Sequence, residues 1–170
     1  MNFLAHLYLA GNDKEVILGN FIADAVKGKA IDTYSPMVQE GIRMHREIDR
    51  YTDNHPVFKQ SRDRLRPNYS LYSGVIVDIY YDHFLARYWN EYSSEDLRTF
   101  VADAYELLIR KFKLLPARSK YLLPFMISQN WLVGYSNFYS LQRVFRGMSR
   151  RARFESKMEF CHSCKPLQVR

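Results

Sequence analysis

The amino-acid sequence predicts an all-α protein, a single-domain helical bundle. Three observations carry that expectation. Apolar residues recur at three- and four-residue spacing through most of the chain, which is the period of an amphipathic helix. Glycine and proline are scarce, at 7 and 6 in 170 residues, and this favours long regular elements over loops. No alternating β-branched run and no Asn-Gly hairpin signal occurs. The length suits one domain, and an apolar content of 47% is enough to build a core. With 13 Tyr and 11 Phe, that core should be rich in rings.

The expected helices follow in order. Asn2 can cap FLAHLYLA, which Gly11 stops. Asp13 can cap KEVILGNFIADAVK, which Gly28 stops. Ser35 followed by Pro36 starts a third helix that runs to about Asp53, because Pro56 disfavours helix at the residue before it. A short helix fits 57–66 and ends at Pro67, and a long aromatic one fits 70–92. Ser93 or Ser94, with Glu95 and Asp96 behind it, starts another that runs to about Lys113. Two more fit 118–134, with a bend at Pro124, and 137–153. The pattern fades in FESKMEFCHSCKPLQVR, so residues 154–170 are expected to form a frayed tail.

No stretch of about 18 apolar residues exists, so no membrane span is expected. The N-terminus lacks the basic start of a signal peptide, and the two cysteines, Cys161 and Cys164, form no disulfide framework. A reducing cytoplasm is the expected compartment. Cys161 and Cys164 have C-x-x-C spacing but lack the second pair that a zinc site needs. The net charge of +7 is uneven. Residues 111–170 hold twelve of the 25 basic residues and only two of the 18 acidic ones. A basic segment of this kind suggests an anionic partner, with solubility alone as the plainer explanation.

Several acids and imidazoles stand in apolar company. Asp78 and Asp82 lie four residues apart in VIVDIYYDHFLARYW, a helix apolar nearly all the way round, with His83 next to them. A buried carboxylate is costly unless a cation or hydrogen-bond donors compensate it, and two on one face drive one pKa up. Asp24 stands in NFIADAV with Asn20 four residues earlier, and His6 is the one polar side chain in FLAHLYLA. In GIRMHREIDRYTDNHP, His45, Asp49 and Asp53 fall at four-residue steps, although like charges at that spacing weaken a helix. Taken singly, each has an ordinary explanation. His6 can be a satisfied core histidine and Asp53 a turn residue. Arg46 and Arg50 can pair with Asp49 and Asp53 on a solvated face, or Arg46 can neutralise Asp78 and Asp82. A shared metal ion accounts for all of them together, since helical bundles build such sites from inward-facing carboxylates and imidazoles. Mixed oxygen and nitrogen ligands suit manganese, magnesium, iron or zinc. The chain has no Gly-rich phosphate loop, nucleophile elbow or H-E-x-x-H motif.

Five segments in order, NFLAHLYLA, GNFIADAVKG, GIRMHREIDRYTDNHP, DIYYDHFLARYW and QNWLVGYS, resemble the bacterial acyl-carrier-protein phosphodiesterase family, also called holo-ACP hydrolases. The resemblance covers residues 1–153. That family is similar to the HD-domain metal-dependent phosphohydrolases, so the resemblance implies an HD-domain-like helical bundle. It also implies removal of 4′-phosphopantetheine from a serine of holo-acyl carrier protein, supported by a divalent metal, manganese first, with magnesium or iron as alternatives. Carried over by motif, Asp24, His45, Asp49, Asp78 and Asp82 become expected metal ligands. Arg46 becomes the phosphate clamp, and His83 or His6 the general acid. The expected chemistry is attack of a metal-activated water on phosphorus, with a serine oxygen leaving.

Acyl carrier proteins are acidic, and Arg143, Arg146, Arg150, Arg151 and Arg153 are the expected docking residues. Members of the family continue with a further helix rich in aromatics and acids. The ending FCHSCKPLQVR departs from this, and a missing packing helix would expose apolar surface and weaken activity. Two other functions remain open at this stage. One is hydrolysis of a nucleotide or other small phosphoester. The other, a non-catalytic basic binding module for RNA, leaves the buried acids unexplained.

Overall fold

The computed structural model describes residues 3–151 together with Lys157 and Met158, and every regular element among them is helical. Nine α-helices are found there: α1 (Phe3–Leu9), α2 (Lys14–Ile22), α3 (Pro36–Asn54), α4 (Pro56–Tyr69), α5 (Ser73–Arg87), α6 (Leu97–Arg110), α7 (Ala117–Ser128), α8 (Trp131–Gly134) and α9 (Phe138–Arg151). The all-α expectation holds. None of these helices is long and apolar enough to cross a membrane.

Several predicted ends match. Asp13 accepts hydrogen bonds from the amides of Glu15 and Val16 and starts α2. Ser35 caps α3 with Pro36 in its first turn, and its hydroxyl donates to Glu15 at 2.7 Å, tying the starts of α2 and α3 together. Gly11 and Gly28 both adopt positive φ, the conformation a glycine stop requires.

Other ends differ for identifiable reasons. The helix before Gly28 stops early, at Ile22, and Asp24 sits in a tighter 3-10 turn over Ala23–Ala25. Helix α4 passes through Pro67 to Tyr69. A proline in the last turn removes only one backbone bond, and the real break comes at Ser70, with φ +45°. The aromatic helix is therefore shorter than expected, with a 3-10 turn at Ser70–Tyr72 before α5 and another at Trp89–Glu91 after it. Asp96, not Ser93 or Ser94, caps α6 by accepting from the amides of Arg98 and Thr99. Pro124 lies inside α7, and the expected 118–134 helix breaks at Asn130, which adopts the left-handed conformation between α7 and α8. The Tyr105 hydroxyl bridges that break. It donates to the Met126 carbonyl and accepts from the Leu132 amide. Within the expected tail, Met158 is buried in the core, and Cys161 and Cys164 lie outside the described residues.

Helices α2 and α3 form the most extensive helix pairing among the described residues. Gly19 and Gly41 make it possible. A Cβ on Gly19 would fall 2.0 Å from the Val38 carbonyl oxygen, and one on Gly41 would fall 2.2 Å from that of Val16. The two backbones thus touch directly, closer than side-chain-bearing helices can approach. Around them a single apolar cluster runs from Leu4 and Leu7 on α1, through Leu18 and Ile22, Ile42, Ile76 and Ile79, to Leu141 and Phe145 on α9.

Gly19→Ala and Gly41→Ala are each expected to lower stability by about 3 kcal/mol, because the added methyl meets backbone that cannot turn aside. Gly74→Ala should act the other way, raising stability by up to about 1 kcal/mol, since nothing lies within 4 Å of its Cβ position. Urea unfolding midpoints of the three variants check both signs.

Candidate metal centre

The crossing of α2 and α3 places Asn20 against His45. Asn20 is fully buried, and its side-chain oxygen lies 3.1 Å from His45 Nδ1. That contact puts the ring proton on Nδ1 and aims Nε2 outward. His45 Nε2 then faces two carboxylates, Asp49 at 3.2 Å, one turn along α3, and Asp24 at 3.5 Å, from the turn after α2. From α1, His6 stacks on His45 with ring centroids 3.8 Å apart and planes within 14°. Its Nε2 lies 3.0 Å from the other oxygen of Asp49. One ligand atom each from His6, His45 and Asp49 fits within a 4.8 Å span.

The electrostatics calls for positive charge at this point. Burial works against a charged His45, but the hydrogen bonds and charges of Asp24 and Asp49 prevail and lift its pKa to about 9. Burial likewise opposes ionisation of Asp49, yet its bonds to His45 and His6 hold it well below the usual carboxylate range. The hydrogen bond to His45 lowers Asp24 against its own partial burial. Two imidazole nitrogens and the Asp49 carboxylate within reach of one point, with Asp24 beside His45, fit a divalent transition metal or magnesium-like ion. The Asn20 contact to His45 is the outer-shell support such ligands usually have. His6 Nδ1 and Asn20 Nδ2 are buried with no hydrogen-bond partner among the described residues, which is uncommon for buried polar atoms.

The remaining expected residues fall into three places. Arg46 stands at the mouth, beside the Asp24 turn, where one guanidinium nitrogen donates to the Val26 carbonyl at 3.1 Å. Asp78 is half-buried on α5. Burial raises its pKa, and the charges of Asp49 and Asp53 raise it further, so it lies within the field of the cluster. Asp53 itself is exposed near the end of α3.

Asp82 and His83 are elsewhere, contrary to expectation. Asp82 is fully buried, and its two oxygens accept from the Leu4 and Ala5 amides at 3.0 and 2.9 Å. Both are engaged in capping α1 from outside, so the carboxylate faces α1 and not the cluster. His83 points to another side of α5. Its Nδ1 lies 2.6 Å from the Tyr135 carbonyl oxygen, a core link between α5 and the end of α8. Burial lowers its pKa, which suits a neutral structural imidazole better than a proton donor. Arg143, Arg146 and Arg150 are exposed at three- and four-residue spacing along one face of α9. The side chain of Arg151 and all of Arg153 lie outside the described residues.

Sequence reasoning noticed Asn20 but gave it no task. A buried amide one turn before Asp24 in an apolar run was the available signal.

The sequence model of the family described as acyl carrier protein phosphodiesterase matches residues 1–168. The chain belongs to that family. It is 37% identical over 158 residues to the acyl carrier protein phosphodiesterases of Escherichia coli O9:H4 (strain HS) and of Escherichia coli (strain K12 / DH10B). Each match covers 92% of this chain and 82% of the relative. No solved structure matches. The His6, Asp24, His45 and Asp49 cluster thus lies wholly within the part of the chain that the family shares.

Asp82→Ala leaves two buried amides without acceptors and is expected to cost about 2–4 kcal/mol. Hydrogen exchange at Leu4 and Ala5 should speed up with it. Burial pushes the folded Asp82 carboxyl up to about 7 from 3.8, against the pull of the two amides. A pKa raised on folding means the folded state holds the proton more tightly, so this group's stabilisation fades as pH rises from about 4 to about 7. The penalty of Asp82→Ala should therefore shrink over that window, which unfolding curves of both proteins can measure.

Proposed function

We propose that the chain is a metal-dependent phosphodiesterase that hydrolyses holo-acyl carrier protein to apo-acyl carrier protein and 4′-phosphopantetheine. The observation that carries this reading is the convergence of His6, His45 and Asp49, with Asp24 beside His45, in a member of this family. Those four residues would hold the ion. A divalent cation there, of the manganese, magnesium or iron kind, supplies the positive charge that acidifies a water and polarises a phosphoryl oxygen.

The chain's own groups have separate tasks. Asn20 fixes the tautomer of His45, so that Nε2 presents its lone pair. Arg46 keeps donors free beyond its bond to Val26 and can steady the phosphoryl oxygens in a charge-assisted fork. Water adds to phosphorus, the bond from phosphorus to the serine oxygen breaks, and that oxygen needs a proton. In this reading Asp78 would deliver it, since burial favours its protonated form. This reading moves the general-acid role from His83 and His6 to Asp78, and it gives Asp82 a structural task. The exposed arginines of α9 suit an acidic carrier protein, and their effect should weaken as salt shortens the reach of surface charge.

Incubation of the purified protein with manganese and holo-acyl carrier protein is expected to remove the phosphopantetheine mass from the carrier, read by mass spectrometry, and chelation should stop it. An unchanged carrier mass, with an Escherichia coli relative active alongside, overturns the reading. His45→Ala and Asp49→Ala should abolish both metal uptake and turnover, while Asn20→Ala should weaken metal binding about 10–100-fold. Asp78→Asn should keep its metal but lose about 10²–10⁴ in kcat. Raising salt through about 0.15 M should lower kcat/KM for the carrier protein.

A further inference from the structure

Beside the cluster lies a cavity of about 370 Å³, within the range of small-ligand sites. Its walls include Leu9 of α1, Ile48 and Thr52 of α3, Val57 and Phe58 of α4, and Tyr81 of α5. Helices α1 and α3, which carry His6, His45 and Asp49, also carry part of the walls. Thr52 is three residues beyond Asp49 on the same face of α3, and Ile48 immediately precedes Asp49. Ala5, also at the wall, is next to His6, and Tyr81 is three residues beyond Asp78. The groove is thus built on residues next to the cluster in α1 and one turn along from it in α3.

Its chemistry is specific. The walls are mainly apolar, and His55 is the one ionisable group there besides the tyrosines. Yet the hydroxyls of Tyr51, Thr52 and Tyr81 have no hydrogen bond among the described residues, and each can both donate and accept. Leu9 and Val57 are about half exposed, which leaves the groove open along one side. A fitting occupant is a flexible, uncharged chain with apolar branches and spaced amides, joined to a phosphodiester at one end. We propose that this groove receives the pantetheine arm of the substrate, with the phosphate over His6, His45 and Asp49. The inference rests on the phosphodiesterase reading and extends it to the way the arm is recognised. It predicts that specificity for the arm comes from α3 and α4, away from the basic face of α9.

The test fills the groove from its rim. Val57→Trp and Leu9→Trp are each expected to lower kcat/KM on holo-acyl carrier protein at least about tenfold, with manganese uptake and melting temperature retained. In the wild type, free pantetheine should inhibit competitively and shift the methyl NMR signals of Leu9, Ile48 and Val57. Full turnover by both variants overturns the proposal. So does pantetheine that leaves those signals in place, or adenosine that moves them instead. If a tryptophan variant melts early, the pantetheine titration of the wild type decides alone. A wild type that releases no phosphopantetheine sinks the phosphodiesterase reading, whereas an active wild type with silent groove signals sinks only the groove.

Discussion

Backbone contact between α2 and α3 is the constraint on which the site depends. Gly19 and Gly41 each stand where any side chain would strike a carbonyl of the facing helix. A helix interior ordinarily loses about 1 kcal/mol for each glycine it holds instead of alanine. Here the loss is offset by an approach close enough for Asn20 to reach His45 directly. Had the helices stood a side chain further apart, the turn after α2 could not bring Asp24 to the same imidazole that Asp49 meets from its own helix. The glycines set the distance, and the distance selects the ligand geometry.

That geometry concentrates negative charge around two buried rings. Asp24 and Asp49 both remain partly open to solvent, whereas His6 and His45 are buried. The open side is therefore the one a ligand could reach, and the closed side fixes ring orientation. Two stacked imidazoles aimed at one carboxylate make a poor hydrophobic core and a good cation site. The raised pKa of His45 expresses the same demand, because the acids draw in whatever positive charge is available.

The sequence made the class and most helix starts legible because local chemistry decides them. Asp13, Ser35 and Pro36 act on amides within a few residues, so their roles can be read from neighbours. His6, Asp24, His45 and Asp49 stood out as polar exceptions in apolar or periodic surroundings, and the structure brings those four together. Asp82 and His83 carried the same signal, yet their partners are the Leu4 and Ala5 amides and the Tyr135 carbonyl. Backbone groups are present at every residue, so nothing in a sequence marks which of them will meet a buried acid. For the same reason Gly19 and Gly41 gave no warning, although they open two of the motifs that carry the family resemblance. A glycine used for contact and one used for a turn look alike until the facing carbonyl is known.

Helix α1 shows why that hidden role of Asp82 matters for chemistry. Seven residues are too few to hold a helix alone in water. Its first amides find their acceptors on α5, and Leu4 and Leu7 bury its inner face. Once anchored, the helix presents His6 to the cluster, while Ala5 and Leu9 line the adjoining groove. One carboxylate that lies outside the cluster thus helps fix the position of His6 and of the groove wall beside it. A loosened α1 would displace His6 and a groove wall together. Damage at Asp82 should therefore resemble damage to the site itself, even though the acid faces away from it.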